Sequence, residues 1–81
     1  MEKTVLYSTP TCPWCIRLKI FLKDKNIEFT DIDVSADREA AMRMIEKSGQ
    51  MGVPQIEING KIIVGFNQQA IEAELKKSVA D

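Results

Sequence analysis

The feature that most constrains this chain is the stretch Cys12-Pro13-Trp14-Cys15, which holds both of its cysteines. It follows the apolar run Val5-Leu6-Tyr7 and opens a segment whose apolar periodicity predicts a helix from residue 13 to about residue 25. Proline is favoured at the first position of a helix, because the N–H that it lacks would be unpaired there. The sequence therefore predicts Cys12 as the N-cap of this helix.

The N-cap position would give the Cys12 sulfur a chemical role. Free backbone N–H groups and the positive end of the helix dipole both stabilise a thiolate, which is the nucleophilic form of cysteine. A free cysteine titrates at about 8.5, and the pKa of cysteines at such positions falls to roughly 3.5–7.5. Cys15 lies in the same first turn, where we expect it to be more buried and able to close a disulfide with Cys12. The motif thus indicates a reversible two-electron switch.

Other interpretations of the two cysteines are open. A structural disulfide over so short a loop would stabilise little, since it hardly restricts the unfolded chain. A closed zinc site usually takes four N or S ligands, whereas the chain has no histidine and no third cysteine. A cluster shared between two chains and a pair of inert buried thiols are the remaining alternatives. We favour redox use without a resident metal, because a predicted strand precedes the motif and a predicted helix follows it.

Length and composition are typical of a small enzyme. The 81 residues fit one domain, and 44% hydrophobic residues can fill a modest core. Eleven basic and twelve acidic residues give a net charge of −1, so the sequence shows no nucleic-acid or membrane footprint. Met1-Glu2-Lys3 runs directly into a predicted strand, which leaves no room for a signal peptide. We expect a monomer in the cytoplasm, a reducing compartment in which paired thiols are usually redox-active or bind metal.

The apolar pattern predicts a βαβ unit followed by a ββα unit. The predicted strands are residues 4–7, 27–32, 55–58 and 61–64, and the predicted helices are residues 13–25, 36–48 and a last one after Asn67. We expect Asn26 and Gly49 to end the first two helices, and Ser35 and Asn67 to begin the last two. The residues expected to face the core are Cys15, Leu18 and Leu22, with Ile16, Ile20 and Phe21 broadening that stripe, then Ala41, Met44, Ile45, Ile71, Leu75 and Val79.

The second half of the chain predicts how the strands pair. Asn59-Gly60 is the strongest two-residue hairpin signal, so it joins strands 55–58 and 61–64 in antiparallel. The helix between the first two strands makes them a parallel pair, since parallel strands need a crossover. The sequence therefore predicts an α/β fold with a mixed four-stranded sheet flanked by three helices.

Three segments carry a resemblance to a known family. Cys12-Pro13-Trp14-Cys15, with Tyr7-Ser8 before it, is similar to the active-site segment of small bacterial glutaredoxins of the thioredoxin fold. Val53-Pro54 is similar to their cis-proline element, and Val64-Gly65-Phe66-Asn67 to their glycine motif after the last strand. The resemblance covers nearly all of residues 1–81 and implies the strand order 2-1-3-4. It also implies a cis Val53–Pro54 bond facing the cysteines, although an X-Pro bond at a strand start is by itself more often trans.

The resemblance implies which residues carry the function. Cys12 would be the nucleophile and Cys15 the resolving thiol of a thiol–disulfide oxidoreductase. The backbone of Val53 would pair with a bound thiol substrate like one more rung of sheet. The implied substrate-binding residues are Thr9, Trp14, Val53, Pro54, Gly65, Phe66 and Asn67. We expect protein disulfides as partners, no tightly bound cofactor, and glutathione as a co-substrate.

Two departures from the family pattern concern the electron donor. Glutaredoxins commonly carry a lysine where Thr9 stands, to meet a glutathione carboxylate. They also carry two glycines and then an aspartate in the motif that reads Val64-Gly65-Phe66-Asn67 here. This version resembles instead the glutaredoxin-like redoxins that thioredoxin reductase reduces, including those that serve ribonucleotide reductase. The donor is therefore either glutathione or thioredoxin reductase.

One alternative function belongs to another class. Two chains could ligate an iron–sulfur cluster through Cys12, with two glutathiones completing the four thiolates. Pro13 makes the start of the helix more rigid, which we take as mildly against this alternative.

Overall fold

The strands and helices follow one another in the predicted order. A computed structural model of the chain describes residues 4–80, with the side chains of residues 4–76. It contains β1 (Thr4–Ser8), α1 (Pro13–Asp24), β2 (Thr30–Asp33), α2 (Arg38–Ser48), β3 (Gln55–Ile58), β4 (Lys61–Val64) and α3 (Gln68–Ala80). Over these residues, no helix has the length and apolar character needed to cross a membrane.

The four strands form one mixed sheet in the order β2-β1-β3-β4, which confirms the predicted topology. β1 pairs in parallel with β2 and antiparallel with β3, where Tyr7 lies opposite Gln55. β3 and β4 form the predicted hairpin, and its turn residues Asn59 and Gly60 have φ angles of 51° and 90°. Two consecutive positive φ angles match the right-handed twist of the strands, which explains the preference for Asn-Gly at this turn.

β1 is buried along its whole length because both faces of the sheet are covered. Alternate residues of a strand point to opposite faces, so Leu6 belongs to one core cluster and Val5 and Tyr7 belong to the other. The larger cluster joins the sheet to α1 and α3 and consists of Leu6, Leu18, Leu22, Ile56, Ile58, Ile63, Ile71 and Leu75. The smaller cluster joins the sheet to α2. Each fully buried aliphatic side chain contributes about 1.5–3 kcal/mol, so these clusters seat the helices on the sheet.

Helix α1 ends as predicted, with Asn26 in the left-handed conformation at φ 58°. The Asn26 N–H donates to the Lys23 carbonyl at 3.0 Å, and the Ile27 N–H donates to the Leu22 carbonyl at 3.0 Å. This pair of bonds is a Schellman motif, which satisfies carbonyl groups that the end of a helix leaves unpaired. Ile27 and Leu22 also pack in the same core cluster. The chain therefore turns from α1 toward β2 with its backbone paired.

The predicted strand at residues 27–32 was placed too early, because β2 runs from Thr30 to Asp33. Ile27 and Phe29 pack against the larger core cluster, as their apolar character suggests. The ladder to β1, however, begins with Thr30 opposite Val5. Apolar residues report burial, whereas a strand also needs a backbone partner, and the sequence pattern does not show where that partner begins.

Helix α2 begins at Arg38 rather than at residue 36, and its N-cap is Asp37 rather than Ser35. The Asp37 carboxylate accepts a hydrogen bond from the Ala40 N–H at 3.1 Å. Ser35 instead donates both its N–H and its hydroxyl to the Asp33 carboxylate. Because serine and aspartate both favour turns and caps, the local sequence alone did not decide which one would begin the helix.

Two positions expected in the apolar stripe of α1 lie at the surface. Ile16 and Ile20 are each about half exposed, so this part of the prediction is wrong. Cys15, Leu18 and Leu22 are fully buried and already fill the face of α1 that meets the sheet. A helix presents only one face to a sheet, so residues on its opposite side stay in solvent whatever their character.

Helix α2 matches its prediction in part. Met44 is buried and Ile45 packs against the smaller core cluster, both as predicted, but the other fully buried residue is Ala40 rather than Ala41. Gly49 ends the helix as predicted, at φ 72°, and its N–H donates to the Ile45 carbonyl at 2.7 Å. The helix is thus rotated slightly from the face that the sequence indicates.

Helix α3 begins and packs as predicted. The Asn67 Oδ1 atom accepts a hydrogen bond from the Ala70 N–H at 3.2 Å, which is the N-cap interaction expected of asparagine. Ile71 and Leu75 are buried in the larger cluster. The prediction for Val79 lies outside the described side chains.

The Schellman motif at Asn26 leads to a stability prediction. Replacing Asn26 with alanine should lower the free energy of unfolding by about 1 kcal/mol, because a left-handed conformation costs an ordinary L-residue about 1–2 kcal/mol. Asn26→Gly should be neutral or slightly stabilising, since glycine adopts positive φ readily. Urea unfolding of both variants measures the difference. Equal stability of the alanine and glycine variants would contradict this interpretation.

Candidate active site

Cys12 lies in the connection between β1 and α1. The turn after β1 is closed by a hydrogen bond from the Cys12 N–H to the Thr9 carbonyl at 3.4 Å. Cys12 is the N-cap, as predicted, with an extended backbone (φ −91°, ψ 114°) and Pro13 at the first helical position. Its sulfur accepts a hydrogen bond from the Cys15 N–H at 3.3 Å. The Cys15 N–H and the positive end of α1 therefore both face the sulfur.

Cys15 has the opposite environment, although it lies one helical turn away. It is 0% exposed, whereas Cys12 is half-buried. Burial, followed by the hydrogen bond with Cys12, raises the pKa of Cys15 to about 11. Both thiols are free, so the structure represents the reduced state. At neutral pH, Cys15 is therefore a protonated thiol behind a more accessible sulfur.

The two cysteines stand without a metal-binding cluster around them. Among the described residues, no group of three or more His, Cys, Asp or Glu side chains is arranged to hold a metal ion.

The Val53–Pro54 segment faces Cys12 from the other side. The peptide bond between these two residues is cis, which confirms the prediction. The Cys12 thiol points at the Val53 carbonyl, with 3.9 Å between sulfur and oxygen. The Pro54 carbonyl accepts a hydrogen bond from the Gly65 N–H at 2.8 Å, which ties this segment to the turn after β4. Gly65 has a φ of 82°, a conformation that glycine adopts at little cost.

Five of the predicted substrate-binding residues line one groove. Its volume is about 290 Å³, and its lining consists of Trp14, Val53, Pro54, Gly65 and Phe66. The groove lies beside Cys12, because Val53 contacts that sulfur and Trp14 belongs to the same motif. No charged side chain is part of this lining. What the groove offers a ligand is apolar surface and backbone hydrogen-bonding groups.

Two predicted substrate-binding residues are not part of the lining. Thr9 contributes its carbonyl to the turn that holds Cys12, and Asn67 uses its side chain to cap α3. Both are close in sequence to residues of the site: Thr9 precedes the cysteine motif, and Asn67 follows Phe66. The structure therefore brings them to the edge of the site rather than into the groove.

Sequence reasoning missed two residues near the groove. Arg17 is an exposed residue of α1 that was not predicted as part of the site, and its guanidinium carbon lies 4.9 Å from the centre of the Trp14 ring. Trp14 is 55% exposed, so this cation–π contact, worth about 0.5–1 kcal/mol at an exposed position, helps to orient the ring. The i, i+3 spacing of the two residues was the available signal. Gln55, predicted only as a strand residue, is fully buried directly after Pro54, and nothing in the sequence indicated its burial.

Known proteins are similar to this chain in sequence and in fold. Residues 4–63 match the family model described as Glutaredoxin. An uncharacterized glutaredoxin-like 8.6 kDa protein in the rubredoxin operon of Clostridium pasteurianum is 50% identical over 72 residues, which cover 89% of this chain and 96% of that protein. Glutaredoxin 3 of Escherichia coli K12 is 34% identical over 65 residues, covering 80% of this chain and 78% of that protein. A crystal structure of a thioredoxin-like protein matches with a TM-score of 0.87 at 30% identity, covering 94% of this chain and 97% of that one.

The contrast between the two thiols predicts unequal reactivity. Brief treatment of the reduced protein with iodoacetamide at pH 7 should label Cys12 at least about a hundredfold faster than Cys15, because only the thiolate reacts and Cys15 is buried with a raised pKa. Mass spectrometry of the labelled peptides measures the ratio.

A variant and a control make this test specific. In Cys12→Ser, the rate of Cys15 labelling should rise steadily between pH 7 and pH 10, because the thiolate fraction of a thiol with a raised pKa grows with pH over that range. In denaturant, the two cysteines should react at similar rates. Equal labelling in the folded protein at pH 7 would show that the assignment is wrong.

Proposed function

The chain belongs to the glutaredoxin family of thiol–disulfide oxidoreductases, and from this premise we propose that it reduces protein and glutathione mixed disulfides with Cys12 and Cys15. The observation that supports the proposal most directly is the hydrogen bond from the Cys15 N–H to the Cys12 sulfur at 3.3 Å. It places one accessible sulfur at a helix N-terminus with a buried thiol one turn away. Such a pair is suited to a reducing compartment such as the cytoplasm, where it returns to the dithiol state.

In the first step, the Cys12 thiolate attacks one sulfur of the substrate disulfide. The substrate S–S bond breaks, a mixed disulfide forms on Cys12, and the other substrate sulfur leaves as a thiolate that takes up a proton. The positive end of α1 stabilises the attacking thiolate. The groove beside Cys12 holds the substrate chain, with the backbone of Val53 positioned to pair with it.

In the second step, Cys15 resolves the mixed disulfide. Its proton must leave first, and burial opposes this loss. Once Cys12 is bonded to the substrate, it carries no thiolate charge, so its contribution to the raised pKa of Cys15 is removed. The Cys15 thiolate then attacks the Cys12 sulfur and releases the second substrate thiol. Two electrons have passed to the substrate, and a Cys12–Cys15 disulfide remains.

Serine substitutions of the two cysteines separate these steps. Cys12→Ser should abolish disulfide reduction, because it removes the sulfur that forms the first bond. Cys15→Ser should retain the first step and accumulate a mixed disulfide with the substrate, visible as a mass increase that dithiothreitol reverses. A Cys12→Ser protein that still reduced disulfides would show that Cys15 acts alone, contrary to the proposed roles.

For the electron donor, we propose weak use of glutathione and efficient use of thioredoxin reductase. Glutathione carries two carboxylates and one ammonium, and each charge-assisted hydrogen bond contributes roughly 1.5–3 kcal/mol. The groove lining has no charged side chain, and the positions where glutaredoxins commonly carry lysine and aspartate hold the neutral residues Thr9 and Asn67. The Arg17 guanidinium lies on the Trp14 ring, outside this lining. The N–H groups at the start of α3 can still hold one carboxylate.

NADPH oxidation with a small disulfide substrate tests the donor. One assay contains glutathione and glutathione reductase, and the other contains thioredoxin reductase alone. We expect higher turnover with thioredoxin reductase. Efficient turnover at millimolar glutathione, with none from thioredoxin reductase, would contradict the proposal.

A double variant tests whether charge is the reason. Thr9→Lys with Asn67→Asp should lower the KM for glutathione by at least about tenfold, because it adds two charge-assisted contacts and even one of them corresponds to about that change. Aspartate caps a helix as well as asparagine does, so α3 should keep its start. Thr9→Gln with Asn67→Ser is the matched control, since it changes the same side chains without adding charge. An unchanged KM in the charged variant would assign glutathione binding to the backbone of Val53 and Gly65.

No observation favours the iron–sulfur alternative. The relatives reported above are named as glutaredoxins or as glutaredoxin-like, and the arrangement of the two thiols is fully used by disulfide exchange. We therefore retain disulfide reduction as the proposed function.

A further inference from the structure

The side chain of Gln55 connects the interior of the protein to the 50–53 segment, which is the stretch of chain between Gly49 and Pro54. Gln55 is the first residue of β3 and is 0% exposed. Its Nε2 group donates one hydrogen bond to the Gln50 carbonyl at 3.1 Å and another to the Gly52 carbonyl at 2.7 Å. A primary amide has two N–H donors. Both N–H donors of the Gln55 side chain are therefore bonded to carbonyl groups of the 50–53 segment.

The 50–53 segment depends on side chains for its position. Within the described chain, no backbone-to-backbone hydrogen bond involves residues 50–53. The Ser48 hydroxyl accepts a hydrogen bond from the Gln50 N–H at 3.0 Å and so holds the beginning of the segment. Met51 is 79% exposed and gives little anchoring. Between Gln50 and Pro54, Gln55 donates the shorter hydrogen bond, to the Gly52 carbonyl, while Val53 packs against the smaller core cluster and its carbonyl faces the Cys12 thiol.

Gln55 is itself held rigidly. Its backbone pairs with Tyr7 on β1 and with Val64 on β4, so it lies in the interior of the sheet. The Val53 carbonyl, at the end of the 50–53 segment, lies 3.9 Å from the Cys12 sulfur. A displacement of the segment would move Val53 relative to both the sulfur and the groove that Val53 lines.

The carbonyl oxygen of the Gln55 side chain indicates that Gln55 does more than stabilise the fold. The Gln55 Oε1 atom is buried and accepts no hydrogen bond from the described residues. A buried acceptor without a partner is unfavourable, so an apolar side chain of similar size would suit the interior better. What an apolar residue cannot supply is the pair of donors to Gln50 and Gly52.

We infer that Gln55 is a positioning residue that holds the 50–53 segment so that the backbone of Val53 meets the substrate beside Cys12. The inference rests on the proposed function and adds to it a residue that touches neither the sulfur nor the substrate. The Cys15 N–H stays on the Cys12 sulfur whether or not Gln55 is present. The inference therefore predicts a larger effect on KM than on the intrinsic reactivity of Cys12.

Gln55→Met tests the inference, because methionine has a similar volume and no N–H donors. The KM for a disulfide peptide should rise about threefold to tenfold, the equivalent of losing the net contribution of one or two hydrogen bonds. The kcat and the rate at which iodoacetamide labels Cys12 should stay within about twofold of the wild type. An unchanged KM in the folded variant would overturn the inference.

Ile56→Val serves as the control for stability. Ile56 is also fully buried and is the next residue of β3, but it faces the larger core cluster on the other side of the sheet. The Ile56→Val variant should lower the free energy of unfolding without raising the KM for the disulfide peptide. An equal rise of KM in both variants would assign the effect to general loosening of the fold and would contradict a positioning role.

Amide hydrogen exchange tests the contact without measuring activity. In the wild type, the two Nε2 protons of Gln55 should exchange more slowly than those of the exposed Gln68, because they are buried and donate to the carbonyls of Gln50 and Gly52. This measurement is valid even if the wild type reduces no disulfide. In that case the proposed function fails, and the contact between Gln55 and the 50–53 segment is judged on its own. Equally fast exchange of the two side chains in the wild type would overturn the inference, and that result needs no variant that folds.

Discussion

The hydrogen bond from the Cys15 N–H to the Cys12 sulfur exists because α1 begins at one defined residue, and much of the structure serves to fix that start. β1 is buried on both faces, and Leu18 and Leu22 seat α1 on the sheet. The connection between them closes in a single turn at Thr9. One residue of a helix turns about 100° around its axis. If α1 began one residue earlier or later, the sulfur would point away from Val53 and from the free N–H groups that stabilise it.

The second half of the site comes from a distant part of the chain. Val53 is 41 residues from Cys12, yet its carbonyl lies 3.9 Å from that sulfur. The cause is the antiparallel pairing of β1 with β3, which sets Tyr7 opposite Gln55 and so brings the end of one strand to the start of the other. The bond between the Gly65 N–H and the Pro54 carbonyl adds β4 to the same edge. The groove therefore depends on strand register, because the residues that line it come from three separate segments of the chain.

The errors of the sequence-based prediction have a common cause. The pattern at residues 27–29 indicated burial correctly, but those residues pack on the core without a strand beside them. Ser35 has the right chemistry for an N-cap, yet Asp33 takes its hydroxyl and Asp37 begins the helix. Ile16 and Ile20 are apolar, but they lie on the side of α1 away from the sheet. In each case, the local preference was real and a neighbouring group decided the outcome.

What the sequence by itself determined is the chemistry that acts within a few residues. The N-cap at Cys12, the left-handed Asn26, the Asn59-Gly60 turn and the cap at Asn67 are each set by contacts inside one turn, so short patterns predict them. The cis Val53–Pro54 bond and the strand order were predicted from family resemblance rather than from the residues alone. The burial of Cys15 was also expected from the sequence. Only the tertiary structure decided that Gln55 is buried against the 50–53 segment, that the five predicted substrate-binding residues line one groove, and how far burial raises the pKa of Cys15. The reason is physical: these features depend on which strands pair and in what register, and a free-energy balance over the whole core sets that register.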